Sequence, residues 1–474
     1  MRGFSATGWK NKNTRIHSGR SQQEWVGVFF TFRRKMTMLG KQYLKYVSSN
    51  ILGMMGLSFY ILADTYFVAA RLGADGLAAL NIAIPGYSLV NATGLMVAMG
   101  GAVRYTIAQS QGQKKQAHEI FTKTMLTGWF FSAIYLLMGI FLATPLAALL
   151  GAEGHILPMT ADYLRMMLLF GVFFISNDMM LAFVRNDGAP RLAMIGMICG
   201  SLTNVVLDYV FIFPLDMGLF GAALATGFSP AVSMCVMSLH VWRKKNGFAF
   251  CRVKEVAKSG LLFCKLGISA FVNEFATGVV LTVFNLLILS ISGNTGVAAY
   301  GVIANIALVG TAVYTGLSQG TQPLVSQYYG KRDHHSTRKL YGFAISTALL
   351  LGAVMIGIAW GFTEPLVSVF NGEGNEALQT MAEEGLRLYF IGFLFAGINI
   401  VSAVYLGAVE QAMPSFFIAM SRGVAAILFF AFLLSALFGM LGIWLAFPAA
   451  EGATCLLTAV FMWRSRKVKT KEAV

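Results

Sequence analysis

Four polar residues sit inside runs that are otherwise strongly apolar: Asp64, Asn204, Asp208 and Thr226. A charge at membrane depth is expensive, so an ionisable residue in such a run is a functional candidate by default. With a helical rise of about 1.5 Å per residue, Asp64 lies about six or seven residues from the end of its run. By the same count Asp208 lies about five residues from the matching end, and Thr226 about nine. These three therefore share a level roughly 10 Å below one membrane surface. Asn204 falls one turn from Asp208 on the same helix face. Two carboxylates with an amide and a hydroxyl at one level could hold a proton or Na⁺. The competing explanation is that Asp64 and Asp208 merely reach outer water or cap their helices.

A second polar set lies in the C-terminal half. Glu274 and Glu451 each fall near the middle of an apolar run, and Asn273, Asn285, Asn305, Gln319, Gln322 and Asn399 add polar groups at other depths. Glu274 and Glu451 could serve as a second protonation site or as counter-charges to a cationic substrate. Glu451 could equally form a structural pair with Arg422. Asp178 lies near the inner boundary of its run, where snorkelling or a cytoplasmic gate competes with transport chemistry. The candidate substrate or second coupling set is therefore Glu274, Asn273, Asn305, Gln319, Glu451 and Asp178. Enzyme chemistry finds little support. Five of the six histidines lie outside the apolar runs or near their ends, His240 is near an inner end, and there is no HExxH, no Walker A loop and no evident nucleophile with a base. Cys199, Cys235, Cys251, Cys264 and Cys455 form no CxxC pair and read as scattered small hydrophobes. No cofactor is expected, and no metal beyond Na⁺ at the Asp64 set.

The elements that position these residues follow from composition. The 474 residues are 57% hydrophobic and 12% charged, about half the charged share of a soluble domain. Runs of roughly 20 apolar residues, enough to cross a bilayer, recur along the chain. Twelve spans are expected, at approximately 45–70, 79–103, 121–149, 157–184, 191–213, 218–242, 261–290, 297–326, 340–362, 384–408, 413–436 and 441–463. The net charge of +15 gathers in alternate loops, at Arg104, Lys114 and Lys115, at Arg185 and Arg191, at Arg243 to Lys258, and at Lys331 to Lys339. The positive-inside rule accounts for that charge without nucleic acid and places both termini in the cytoplasm of a multi-pass cell-membrane protein. Residues 1–41 are polar and basic without a signal-peptide core; they read as a disordered tail or a non-native extension. The expected organisation is an N-terminal lobe at 42–245, a cytoplasmic linker at 246–260, a C-terminal lobe at 261–463 and a basic tail at 464–474.

An internal repeat at about 220 residues supports the two lobes. Gly76-Leu-Ala-Ala is echoed at Gly296-Val-Ala-Ala, Met217-Gly-Leu-Phe-Gly at Phe438-Gly-Met-Leu-Gly, and Pro190 at Pro414. Six spans per half is an even number, so both halves enter the membrane in the same sense. The fold class is an all-α integral membrane protein of twelve transmembrane helices in two parallel six-helix repeats, an arrangement in which transporters rock two lobes about a central path.

Leu62-Ala-Asp64-Thr-Tyr-Phe-Val, Arg185-Asn-Asp-Gly188-Ala-Pro-Arg-Leu-Ala, Asn204-Val-Val-Leu-Asp208 and Gly218-Leu-Phe-Gly-Ala-Ala-Leu-Ala-Thr226 occur in an order and spacing that resembles the multidrug and toxic compound extrusion (MATE) transporters. The likeness covers about residues 42 to 463, within a larger group that includes lipid and polysaccharide flippases. It implies a V-shaped pair of six-helix bundles, a monomer, expelling small organic, often cationic, compounds in exchange for H⁺ or Na⁺. It also implies that Asp64, Asn204, Asp208 and Thr226 form the N-lobe cation site. A flippase for a lipid-linked precursor is the first alternative and should show a basic central cavity. A membrane-embedded enzyme is the second.

Overall fold

Apolar runs of this length become helices because the hydrocarbon layer holds no water to satisfy free backbone N–H and C=O groups. A computed structural model of the chain describes the backbone of residues 17–371 and 374–471 and the side chains of 38–371, Ala74 apart, and 374–465. The expected polar extension at 1–41 and basic tail at 464–474 fall almost wholly outside the described side chains. The chain divides after Lys45, and the described residues from Tyr46 onward carry the membrane-spanning body.

Among the described residues nine helices are long and apolar enough to cross a membrane, from Met38–Gly73 to Met440–Ser465. Two bent pairs, Ile156–Leu169 with Gly171–Asn186 and Glu376–Ile391 with Phe393–Ala408, bring the number to 11. The 75-residue helix Val256–Gly330 is parted at Gly293 and holds two spans, which makes the expected twelve. The spans are numbered 1 to 12 in chain order. The third ends earlier than its apolar run suggests. It stops at Phe141, and Ala143–Leu149 leaves as a short helix of its own, with Pro145 in its first turn, where a missing N–H is harmless.

The repeat is visible in the backbone. Gly73 (φ 62°, ψ −148°) and Gly293 (φ 63°, ψ −155°) make the same non-helical break 220 residues apart. Positive φ with that ψ is open to glycine and strained for residues with a Cβ. Lys114–Phe141 and His334–Gly361 are both 28 residues long, and the two bent spans turn by 46° and 43°. Spans 5 and 11 differ. Pro190–Ile212 is regular, whereas Ala412–Phe438 carries a π-helical turn at Ser421–Ala425.

The lobes meet along spans 2 and 7, which touch backbone to backbone. A Cβ on Gly267 would stand 1.9 Å from the Met96 carbonyl oxygen, and one on Gly100 2.0 Å from that of Phe263. Small residues that let backbones approach are the usual means of helix packing in lipid. The segment joining the lobes is held on the N-terminal one. Phe248 stacks on Phe121 at 4.5 Å, and the Gly247 N–H donates to Asp187 Oδ2 at 2.6 Å.

Candidate functional site

Asp64, Asn204, Asp208 and Thr226 come together inside the N-terminal lobe, and all four are buried. The Asn204 amide orientation that satisfies both neighbours has its nitrogen donating to Asp208 Oδ2 at 3.0 Å and its oxygen accepting from Thr226 Oγ1 at 3.2 Å. The helical spacing of Asn204 and Asp208 sets the first contact. The packing of span 6 on span 5 sets the second. Asp64 reaches the group from span 1 and lies within electrostatic range of Asp208. One oxygen of each carboxylate, Asp64 Oδ1 and Asp208 Oδ1, is buried with no hydrogen bond among the described residues. Buried polar atoms are nearly always satisfied, so these two oxygens leave the pocket with unused capacity to accept a hydrogen bond or a ligand.

Tyrosines missed in the sequence complete the pocket. Tyr163 on span 4 lies beside Thr226, and Tyr60 on span 1 beside Tyr87 on span 2, with Asp64 and Asp208 in electrostatic range of both Tyr60 and Tyr163. In an apolar run a tyrosine reads as core, and only the tertiary fold brings it near the carboxylates.

A second acidic group bridges the lobes at mid-depth. Glu274 Oε1 accepts from Asn91 Nδ2 at 2.8 Å, joining span 7 to span 2. Asp178, on span 4, lies in electrostatic range of Glu274, and its Oδ2 is buried without a partner among the described residues. The remaining candidates separate from this pair. Glu451 is held by Arg422 Nη2 at 2.7 Å and by Asn399 Nδ2 at 2.7 Å, which is the structural pairing weighed from the sequence. Asn273 Oδ1 accepts from Arg422 Nη1 at 3.3 Å. Gln319 Oε1 accepts from Arg185 Nη1 at 2.7 Å, well toward the basic end. Asn305 is half-buried and hydrogen bonds to none of these groups among the described residues.

Between mid-depth and the basic end, polar contacts close the two lobes on each other. Arg185 Nη1 donates both to Gln319 and to Asn50 Oδ1 (2.8 Å), Asn186 Nδ2 donates to Gln322 Oε1 at 3.2 Å, and Arg104 pairs with Glu410. Toward the opposite end, beyond Asn91 and Glu274, no side-chain hydrogen bond crosses between the lobes among the described residues. Beside this closure, Asp187 collects four donors, namely Tyr105, Gln109, His240 and the Gly247 N–H. Burial acts to raise its pKa, but those hydrogen bonds outweigh it and hold the carboxyl below its ordinary value.

A family model, MatE, matches residues 50–210 and again 270–432, once in each lobe. The chain belongs to the MatE family. The two matches begin 220 residues apart, the spacing of Gly73 and Gly293, so the family signature and the backbone repeat coincide. MatE membership makes the chain a membrane transporter rather than an enzyme. The chain is 27% identical over 414 residues to the multidrug export protein MepA of Staphylococcus saprophyticus, covering 86% of this chain and 90% of that protein. MepA of Staphylococcus aureus is 26% identical, covering 88% and 92%. The fold matches a multidrug resistance MATE transporter of the MOP superfamily solved in an outward-facing conformation, with a TM-score of 0.84 and 18% identity over 92% of this chain and 97% of that one. It also matches a MOP superfamily transporter from Pyrococcus furiosus for which a reversed polarity of the binding pocket suggests a different function, with a TM-score of 0.82 and 19% identity over 91% and 96%.

Proposed function

We propose that this MatE protein exports organic cations in exchange for H⁺ or Na⁺, acting as a monomer in the cell membrane by alternating access. One observation carries the reading. Asp64 and Asp208 lie in one buried pocket, each with an oxygen free to take a proton or cation, while Asn204, itself bonded to Thr226, holds Asp208 in place. Binding there changes the charge of the pocket by one. That change can drive transport only if the ion binds one lobe arrangement better than the other.

The substrate reading rests on Asp178 and Glu274. They put negative charge on both lobes at mid-depth, a counterpart to an organic cation, and the relatives named as multidrug export proteins agree with it. A lipid-phosphate flippase would call for cationic groups there. Of the two guanidiniums in this region, Arg422 is paired with Glu451, and Arg185, in electrostatic range of Asp178, is hydrogen bonded to the neutral acceptors Asn50 and Gln319 nearer the basic end. The excess of Lys and Arg puts the basic end in the cytoplasm, so the closure at that end corresponds to an outward-open state.

Purified protein in liposomes loaded with a cationic dye, challenged separately with a pH and a Na⁺ gradient, tests the proposal. Wild type should export dye down one of the two. Asp208→Asn should bind into the membrane normally and lose gradient-driven export. Undiminished export by that variant would overturn the assignment.

A further inference from the structure

The two lobes are repeats, yet their polar interiors are not equivalent. Carried across by the Gly73–Gly293 break, the position of Asp64 falls on Phe284. Carried across by Pro190 and Pro414, Asn204 and Asp208 fall on Leu428 and Phe432, or on Phe429 and Leu433 once the extra residue of the π-turn is counted. Gly218 and Gly439 carry Thr226 to Phe447. Every polar position of the N-lobe pocket is thus aromatic or aliphatic in the C-lobe.

The C-lobe holds a different buried carboxylate, and it is closed. Glu451 Oε1 takes Arg422 Nη2 and Oε2 takes Asn399 Nδ2, both at 2.7 Å. Asn399 Oδ1 in turn accepts from Thr458 at 2.8 Å, and Ser421 and Thr454 hydrogen bond beside the pair at 2.8 Å. Arg422 lies in the π-helical turn Ser421–Ala425, a feature frequent at functional sites. Its guanidinium also reaches Asn273, the neighbour of Glu274, on span 7. The titratable groups in electrostatic range of Glu451 are Tyr389 on span 10, Tyr314 on span 8 and Cys455 one turn further along span 12; none adds a fixed positive charge. In the N-lobe pocket, by contrast, no Lys or Arg contacts Asp64 or Asp208 among the described residues, and an oxygen of each stays free.

We propose that Arg422 is a covalently tethered counter-ion: it occupies the C-lobe carboxylate Glu451 in place of a transported cation and so limits the number of coupling ions per cycle to those held by the N-lobe. The physical basis is that a buried carboxylate stripped of its partner is an uncompensated charge, which takes up a proton or a cation. A side chain that supplies the positive charge permanently removes that ion from the cycle. This assignment rests on the ion-coupled reading above and adds where the count of ions is set.

The test is the coupling ratio, measured in liposomes with the membrane potential clamped, as the dye gradient that balances a given gradient of the coupling ion. Wild type comes first: no response to either ion removes the coupled reading itself, and this inference with it. Given a coupled wild type, Arg422→Gln should raise the balancing dye gradient by one further power of the ion gradient. The double variant Arg422→Gln/Glu451→Gln should return it to the wild-type value. Glu451→Gln alone should leave the ratio unchanged, because Glu451 carries no transported ion, and this variant decides the matter if Arg422→Gln does not fold. An unchanged ratio in a folded Arg422→Gln protein, or a lower ratio in Glu451→Gln, overturns the proposal.

Discussion

Arg104 on span 2 and Glu410, just after span 10, form an ion pair although 306 residues separate them. Each belongs to a different lobe, so the pair ties the two lobes together at the basic end. Both side chains are about a third exposed (31% and 28%), where an ion pair contributes about 0.2–1 kcal/mol. Arg104→Gln should therefore bias the lobes toward opening at that end by a few-fold at most, roughly 2–5-fold. Spin labels on the basic-end loops of the two lobes, read by pulsed distance measurement, should show a larger long-distance population. An unaltered distribution would mean that closure owes nothing to this pair.

A larger effect belongs to Gly267. Its missing side chain lets span 7 rest on the Met96 carbonyl, and a methyl there would stand 1.9 Å from that oxygen. Overlap of this kind with backbone cannot be relieved by a rotamer change, so the lobes themselves must part. Gly267→Ala should leave each lobe folded and keep the basic end from closing. The same distance measurement should lose its short component. Transport should fall at least about tenfold, since one of the two arrangements becomes unfavourable by more than about 1.4 kcal/mol. Retention of the short component would show that spans 2 and 7 slide instead.

Much of this arrangement was legible in the residues, and the limits are physical. Helical periodicity is local, so the shared face of Asn204 and Asp208 is legible in the sequence. The repeat is equally plain in Gly76-Leu-Ala-Ala and Gly296-Val-Ala-Ala, and the backbone breaks at Gly73 and Gly293 keep the same spacing. Pairings across lobes were not legible. By sequence Gln319 and Asn273 group with the substrate candidates as polar residues in apolar runs, but they bond Arg185 and Arg422. Which distant partner a polar group meets depends on docking of the lobes, and no local pattern encodes it. Tyr60 and Tyr163 were hidden for a related reason, since aromatic residues in apolar spans look the same whether their hydroxyls face a carboxylate or the core.

Asn204 gives a sharper probe of the N-lobe pocket than either carboxylate, because it is neutral in every state. It donates to Asp208 and accepts from Thr226, so it fixes the direction in which Asp208 presents its free oxygen. Asn204→Leu removes both contacts, and a buried hydrogen bond to a charged group is worth about 1.5–3 kcal/mol. The half-maximal concentration of coupling ion should rise by roughly ten- to a hundredfold. Thr226→Val removes only the hydroxyl and should give a smaller rise, about 2–10-fold. Dye export measured against ion concentration separates the two, and an equal effect would place Thr226 in direct contact with the ion.

Asp187 makes a prediction about stability that is independent of coupling. Its carboxylate is buried against Tyr105, Gln109, His240 and the Gly247 N–H, and these bonds hold its pKa below the ordinary value despite the burial. A carboxyl with a depressed folded-state pKa stabilises the fold above its unfolded pKa, about 3.9, and loses that contribution as pH falls through the folded value. The contribution should thus be fully present at neutral pH and disappear only below about pH 4. Asp187→Asn keeps the shape but not the charge, and should lower stability at pH 7 by about 1–3 kcal/mol. The difference between variant and wild type should shrink as the pH drops below about 4, because both then present a neutral group. Thermal unfolding in detergent at several pH values checks both parts. A gap that persists undiminished in acid would mean that the Asp187 hydrogen-bond geometry, rather than its charge, anchors the segment that joins the two lobes.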